Sequence, residues 1–231
     1  MKVLIVIPAY NEEGNIERVV NNLITNYPQY DYVVVNDGSK DSTAEICRRN
    51  HYSLLDQPIN LGLAGAFQTG MKYAYQMGYD AAVQFDGDGQ HRPEYIEAMV
   101  AEIERGADIV IGSRFVSEKK PSSLRMLGSN IIETMIKVTT GNTIKDPTSG
   151  MRMFSRRMLK LLAENLNMGP EPDTVSYLMK CGAIVKEIQV HMDDRIAGQS
   201  YLTLSRSVKY MATMSVSILL ISFFRKKVVL K

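Results

Sequence analysis

Short runs of uncharged, largely β-branched residues recur through the first half of the chain, each closed by a polar loop and most followed by helical periodicity. Val3–Ile7 is the clearest: five apolar residues in a row. Such a run suits a strand buried on both faces, as in a parallel sheet sandwiched by helices. Tyr32–Val35, Ala81–Phe85 and Asp108–Ile111 repeat the theme, and Tyr52–Leu55 is a weaker version. Between them, Ile16, Val19, Val20, Leu23 and Ile24 fall at helical spacing. Asp41 or Ser42 is placed to cap a helix holding Ala44 and Ile46. Asn60–Ala66 opens a third helix, to about Met77, whose small residues permit close backbone approach. Pro93 suits the first turn of a fourth, to about Arg105. This alternation predicts an α/β fold with a mostly parallel sheet covered on both faces. Ligands of such sheets bind beyond the carboxyl ends of the strands, and Tyr10, Asp37, Asp86 and Arg114 all fall just past strand ends.

Gln84–Pro93 reads QFDGDGQHRP. Asp86 and Asp88, separated by one glycine, can converge on one hard cation, and Gln90 could add a neutral oxygen. Oxygen-only ligation suits Mg²⁺ or Mn²⁺, ions that usually accompany phosphate groups. Asp-Gly pairs are also ordinary turn formers, so it is the position after a strand that favours the metal. His91 is read as a neighbour of the ligand set rather than a member.

The chain has 231 residues with a formal net charge of +2, which gives no bulk signal for nucleic acid. Cys47 and Cys181 lack metal-ligand spacing and are expected to be reduced, buried thiols. The chain opens on a strand-like run without a signal-peptide layout, so a cytosolic setting is expected. After about Ser117 the pattern changes. Lys119, Lys120 and Arg125 lead into a helix of about 122–140, with Leu124, Leu127, Ile131, Met135 and Val138 on one stripe. Asp146–Arg152 and Arg195–Ser200 read as loops, and Ile184–Val190 as a late strand. The uncharged run Tyr210–Phe224, flanked by Arg206, Lys209 and Arg225–Lys227, spans about 22 Å as a helix, short of the roughly 30 Å of a bilayer core. A helix lying in the membrane interface is expected, against a buried core or oligomer-interface helix. The expected division is a catalytic unit over 1–203 and a membrane-associating tail over 204–231.

Seven motifs stand in one order: IPAYNEEGNI, VVVNDGSKDST, NLGLAGAFQTG, QFDGDGQHRPE, GSRF, DPTSGMR and RIAGQS. Over about Met1–Ser200 the set resembles family 2 glycosyltransferases of the GT-A fold, and more narrowly the polyprenyl-phosphate glycosyltransferases of the dolichol-phosphate mannose synthase group. The resemblance extends to bacterial enzymes that charge undecaprenyl phosphate with one sugar for cell-wall polysaccharide decoration. It implies that Pro8, Ala9, Tyr10, Glu12 and Asp37 bind the nucleotide. It implies that Asp86, Asp88 and Gln90 hold the metal and donor diphosphate, and that Arg195 reaches the donor phosphates. Arg114, Arg125 and Ser129 would hold the acceptor phosphate. The spacing of Arg125 and Ser129 also puts them on one helical face. Many relatives carry two or four transmembrane helices after the catalytic domain, whereas this chain carries a short tail. A homo-oligomer or a small membrane-protein partner, at the cytoplasmic face of the membrane, is therefore expected.

The implied reaction moves one hexose or N-acetylhexosamine from a nucleotide-diphosphate sugar, with UDP-GlcNAc or UDP-Glc favoured, to undecaprenyl phosphate with inversion. A lipid phosphate is largely dianionic at pH 7 and needs no general base. Asp146 is the candidate if a base is required, and otherwise a turn residue before Pro147. Two rivals are a transferase acting on a saccharide hydroxyl and a non-catalytic nucleotide-sugar-binding module. A dinucleotide oxidoreductase is disfavoured, because no G-x-G-x-x-G follows the first strand.

Overall fold

The structure is a computed structural model that describes residues 1–165, 167–193 and 204–228; the side chains of residues 124, 125, 204–206 and 208 lie outside that description. The expected boundary at 203 and the whole Arg195–Ser200 loop fall outside it too.

Seven strands form one sheet in the order β3-β2-β1-β4-β6-β5-β7. β1 (Val3–Ala9) pairs in parallel with β2 (Asp31–Asn36) and β4 (Ala81–Gln84), and β2 pairs in parallel with β3 (Leu54–Asp56). β5 (Ile109–Ser113) pairs in parallel with β7 (Val185–Gln189). β6 (Arg152–Ser155) lies between β4 and β5 and runs antiparallel to both. Its amino end therefore meets the carboxyl ends of its neighbours: Arg152 is level with Gln84 and Ile111.

The alternation along β1 explains the two-faced core. Val3, Ile5 and Ile7 join one apolar cluster; Leu4 and Val6 join the other. All five are buried, each stabilising the fold by roughly 2 kcal/mol relative to exposure. α1 (Ile16–Asn26), α2 (Thr43–Arg49) and α4 (Ile96–Glu104) cover the first face. α3 (Gly62–Gln76), α6 (Arg156–Glu164) and α7 (Pro172–Lys180) cover the second. The close approach expected of α3 is made at Gly70, where an added Cβ would lie 2.1 Å from Val6 Cγ1.

Several expectations are corrected. Ile24 is exposed, because α1 seats only Ile16, Val19, Val20 and Leu23 on the sheet. Of the two expected caps of α2, Asp41 serves, its Oδ1 accepting the Thr43 N–H at 3.0 Å, while Ser42 makes no side-chain cap. Pro93 opens a 3-10 turn, Pro93–Tyr95, before α4. Cys181 is only half-buried, whereas Cys47 is fully buried, and burial pushes its thiol up to about 11. β6, α6 and α7 were absent from the sequence reading.

The helix expected over about 122–140 is α5 (Leu124–Thr140), and Leu127, Ile131 and Val138 of its apolar stripe are exposed. The buried side is Met126, Ser129, Ile132 and Ile136. Against α5 and α7 packs α8 (Leu204–Phe224), longer than its uncharged run. Met211 and Ile218 of α8 are buried, while Val216, Leu220, Phe223 and Phe224 point outward. Polar contacts reinforce the docking. Tyr210 Oη donates to Glu171 Oε2 at 2.5 Å, Ser217 Oγ to Asp173 Oδ2 at 2.5 Å, and Lys180 Nζ to Ser222. Among the described residues no helix is long and apolar enough to cross a membrane.

Candidate active site

The loops leaving β1 and β2 are stitched together. Asp37 N–H donates to Ala9 O at 2.9 Å. Asn11 N–H donates to Ser39 Oγ, Lys40 N–H to Asn11 Oδ1, and Glu12 N–H to Thr43 Oγ1. Asn11 takes a left-handed φ of 56° to turn the chain, while Tyr10 stands exposed beside it. Glu12 receives the Asn15 amide at 2.8 Å. Asp37 is buried, and its Oδ1 accepts the Leu61 N–H at 2.7 Å, so it fixes the loop that opens α3. Pro8, Ala9, Tyr10, Glu12 and Asp37 thus share one corner of the sheet edge. Glu12 and Asp37 both bind the protein through their carboxylates.

Asp86 and Asp88 follow β4. His91 is buried and holds the first of them twice: its Nδ1 accepts the Asp86 N–H at 3.0 Å, and its Nε2 lies 3.4 Å from Asp86 Oδ2. Accepting at Nδ1 places the neutral ring's proton on Nε2, facing the carboxylate. Phe85 packs edge-on to the same imidazole. Asp88 is buried, and its Oδ1 accepts the Gln90 N–H at 3.0 Å. Arg18 reaches the Asp88 carbonyl from α1 and borders a cleft of about 230 Å³ lined by Asn22, Phe85, Gly89 and His91. Gln90 Nε2 donates to Asp193 O at 3.1 Å, and Asp193 N–H returns a bond to Gln90 O. The stretch just before Arg195 is therefore fastened to the acidic turn, while Arg195 itself lies outside the described residues.

Among the described residues no group of three His, Cys, Asp or Glu side chains could hold a metal. The donor set still fits a hard cation. Two carboxylates follow the end of β4, and a Cβ on Gly150 would lie 2.8 Å from Asp86 Oδ2, so only glycine leaves that oxygen room. A diphosphate would supply the remaining oxygens.

Arg114 and Asp146 are brought together. Arg114 Nε lies 2.7 Å from Asp146 Oδ2 and Nη2 lies 2.8 Å from Oδ1, with the Arg114 N–H also donating to Oδ2. This is a forked ion pair with a fully buried carboxylate. Burial alone would raise the Asp146 carboxyl, but the Arg114 bonds and charge prevail and hold it below the usual carboxylate range. Asp146 is thus the counter-ion that orients Arg114. Glu187 of β7 accepts the Lys145 and Asp146 N–H groups. Arg152 is fully buried and donates to Pro147 O and Pro170 O, stapling the same loop to the entry of α7. Arg114 Nη1 has no partner among the described residues. Ser129 is buried rather than open on a helix face, and its Oγ is 3.3 Å from Lys120 Nζ. The Arg125 side chain lies outside the description. His91 stands beside the acidic turn, as its place in the sequence suggested; the roles of Arg152 and Lys120 were not legible in spacing, since each acts through partners on other elements.

Paired carboxylates after β4 and an arginine after β5 thus stand at one edge of a mixed seven-stranded sheet. Residues 4–162 match glycosyl transferase family 2, more than half of the chain, and the chain belongs to that family. The UDP-N-acetylglucosamine–dolichyl-phosphate N-acetylglucosaminyltransferase of Methanococcus voltae is 34% identical over 185 residues, 71% of this chain and 73% of its own. The undecaprenyl-phosphate mannosyltransferase of Micrococcus luteus is 29% identical over 216 residues, 88% of each chain. The glucosyl-3-phosphoglycerate synthase of Mycobacterium tuberculosis, solved with Mn²⁺ and UDP-glucose, has a TM-score of 0.66 at 17% identity, over 96% of this chain and 78% of that one. That likeness shows the GT-A fold.

Proposed function

We propose that this chain transfers one sugar from a nucleotide-diphosphate sugar, UDP-GlcNAc or UDP-Glc, to a polyprenyl phosphate with inversion at the anomeric carbon. The observation that carries this reading is the Arg114–Asp146 fork. The carboxylate best placed to act as a base at the acceptor side is buried, ionised and committed to a guanidinium. A hydroxyl acceptor would need that base, whereas a phosphate dianion is its own nucleophile. The fork presents a fixed cation to such an anion, with geometry set before it arrives.

Asp86 and Asp88 would hold Mg²⁺ or Mn²⁺, with Gln90 beside them. When bound, the ion would offset the charge growing on the departing nucleoside diphosphate. Pro8, Ala9, Tyr10, Glu12 and Asp37 take the nucleotide at the β1–β2 corner, and Arg195 adds charge at its phosphates. Arg114, Arg125 and Ser129 position the acceptor. The relatives' names support the polyprenyl-phosphate class, and one of them supports N-acetylglucosamine. The outward apolar residues of α5 and α8, with exposed Lys209, Lys226 and Lys227 near α8, support a peripheral seat on an anionic membrane face. On this reading residues 1–203 form the catalytic unit and 204–231 the membrane-associating tail.

The test is transfer of label from radiolabelled UDP-GlcNAc and UDP-Glc, assayed separately, to undecaprenyl phosphate with Mn²⁺. An acid-labile glycolipid that disappears in Asp88→Ala is the expected result. Transfer to a saccharide hydroxyl, with none to the lipid phosphate, would sink the proposal.

A further inference from the structure

Lys120 stands in a loop of exposed residues before α5, yet its own side chain is only 13% exposed. Its Nζ lies 3.3 Å from Ser129 Oγ, 3.0 Å from Asn130 Oδ1 and 2.7 Å from Glu133 Oε2. Three acceptors match the three N–H donors of an ammonium. The same Nζ lies 5.8 Å from the centroid of Phe115, and the Arg114 guanidinium carbon lies 5.1 Å from that centroid. One ring therefore carries a cation from the end of β5 and a cation from the α5 approach. The family resemblance implies Arg114, Arg125 and Ser129 at the acceptor phosphate and gives Lys120 no part.

We propose that Lys120 binds the acceptor phosphate, and that Glu133 is an internal carboxylate competing with that phosphate for the Lys120 ammonium. The inference rests on the polyprenyl-phosphate reading above and adds a ligand and a competitor to it. An oxyanion bonded to Ser129 Oγ has the Lys120 ammonium within reach, because the two groups already touch. Glu133 offers one negative charge to that ammonium, while a phosphate monoester near pH 7 offers close to two, so the phosphate wins the exchange at equal distance. Glu133 is partly exposed and can turn to solvent as Lys120 leaves it. The long, flexible lysine stem permits the swing. No covalent bond changes; one ion pair replaces another.

A purely structural role is the rival, in which the Lys120–Glu133 pair only fastens the loop to α5. The two accounts differ in sign. If the pair is a fastener, Lys120→Met and Glu133→Gln both loosen the loop and act alike. If Glu133 competes with phosphate, they act in opposite directions. The full chain would be tested as wild type, Lys120→Met, Lys120→Arg and Glu133→Gln, with farnesyl phosphate and inorganic phosphate titrated by calorimetry. Acceptor KM and donor KM would be measured with undecaprenyl phosphate in detergent, and thermal melts would exclude misfolding. Lys120→Met is expected to weaken farnesyl phosphate binding and raise acceptor KM by about tenfold, with donor KM unchanged. Lys120→Arg should restore most of the loss, and Glu133→Gln should tighten binding severalfold. Unchanged binding in Lys120→Met, or weakening by Glu133→Gln in step with it, would overturn the inference, as would no binding to the wild type. Inorganic phosphate binding as tightly as farnesyl phosphate would overturn the lipid source. Lys120-dependent binding without sugar transfer to undecaprenyl phosphate would remove the proposed reaction and leave the phosphate site standing.

Discussion

A carboxylate that is buried and still ionised needs a partner of matching shape, and Asp146 has one in the Arg114 fork. Asp146→Asn keeps the volume and removes the charge, leaving the guanidinium without its counter-ion. We expect a loss of about 3 kcal/mol at pH 7, measured by urea unfolding. The folded Asp146 carboxyl lies below its unfolded value, so its contribution is complete above the unfolded pKa of about 4 and is lost as pH falls through the folded value. The gap between wild type and Asp146→Asn should therefore close as the medium is acidified below about pH 4; a gap that persists there would mean another interaction is responsible. Gly150 offers a second test at this scale. Gly150→Ala would put a methyl 2.8 Å from Asp86 Oδ2, and the carboxylate must move. Mn²⁺ binding by the protein, followed by electron paramagnetic resonance, should weaken about tenfold. Equal affinity would mean that Asp86 has slack in its position.

At the scale of elements, the parallel strands and their helices were legible because double burial leaves an unbroken apolar run, and Val3–Ile7 is such a run. β6 was not, because its four residues start with an arginine, Arg152, whose burial depends on the carbonyls of Pro147 and Pro170. Periodicity located α5 and one apolar stripe on it, but not the side that is covered. Two sides of that helix are apolar, and only the placement of α8 decides which is covered. At the candidate site, Asp86, Asp88 and Arg114 could be located from the ends of strands, but the Arg114–Asp146 partnership joins two loops that spacing does not connect. The α5–α8 contact can be probed at Gly128, where an added Cβ would lie 1.6 Å from Met211 Sδ. Gly128→Ala should force Met211 aside and lower stability by about 1–3 kcal/mol, read as a lower melting temperature. An unchanged melting temperature would show that the two helices separate without cost.

For the molecule as a whole, the exposed apolar residues of α5 and α8 bring hydrocarbon into contact with water. Phe223 and Phe224 are 78% and 81% exposed, so replacing both with serine should leave the melting temperature unchanged. Co-sedimentation with anionic phospholipid vesicles should fall at least about tenfold. Undiminished co-sedimentation would place the lipid contact elsewhere. The position of β6 has a further consequence, for the order in which the protein can be made. β1 to β4 are synthesised by residue 84 and can pair among themselves, but the open edge of β4 has no native neighbour until residue 155 has emerged. β5 is made earlier than β6 and must wait for it. A nascent chain halted on the ribosome between these points carries an uncovered strand edge beside two aspartates. Chaperone dependence during translation should therefore concentrate in that interval.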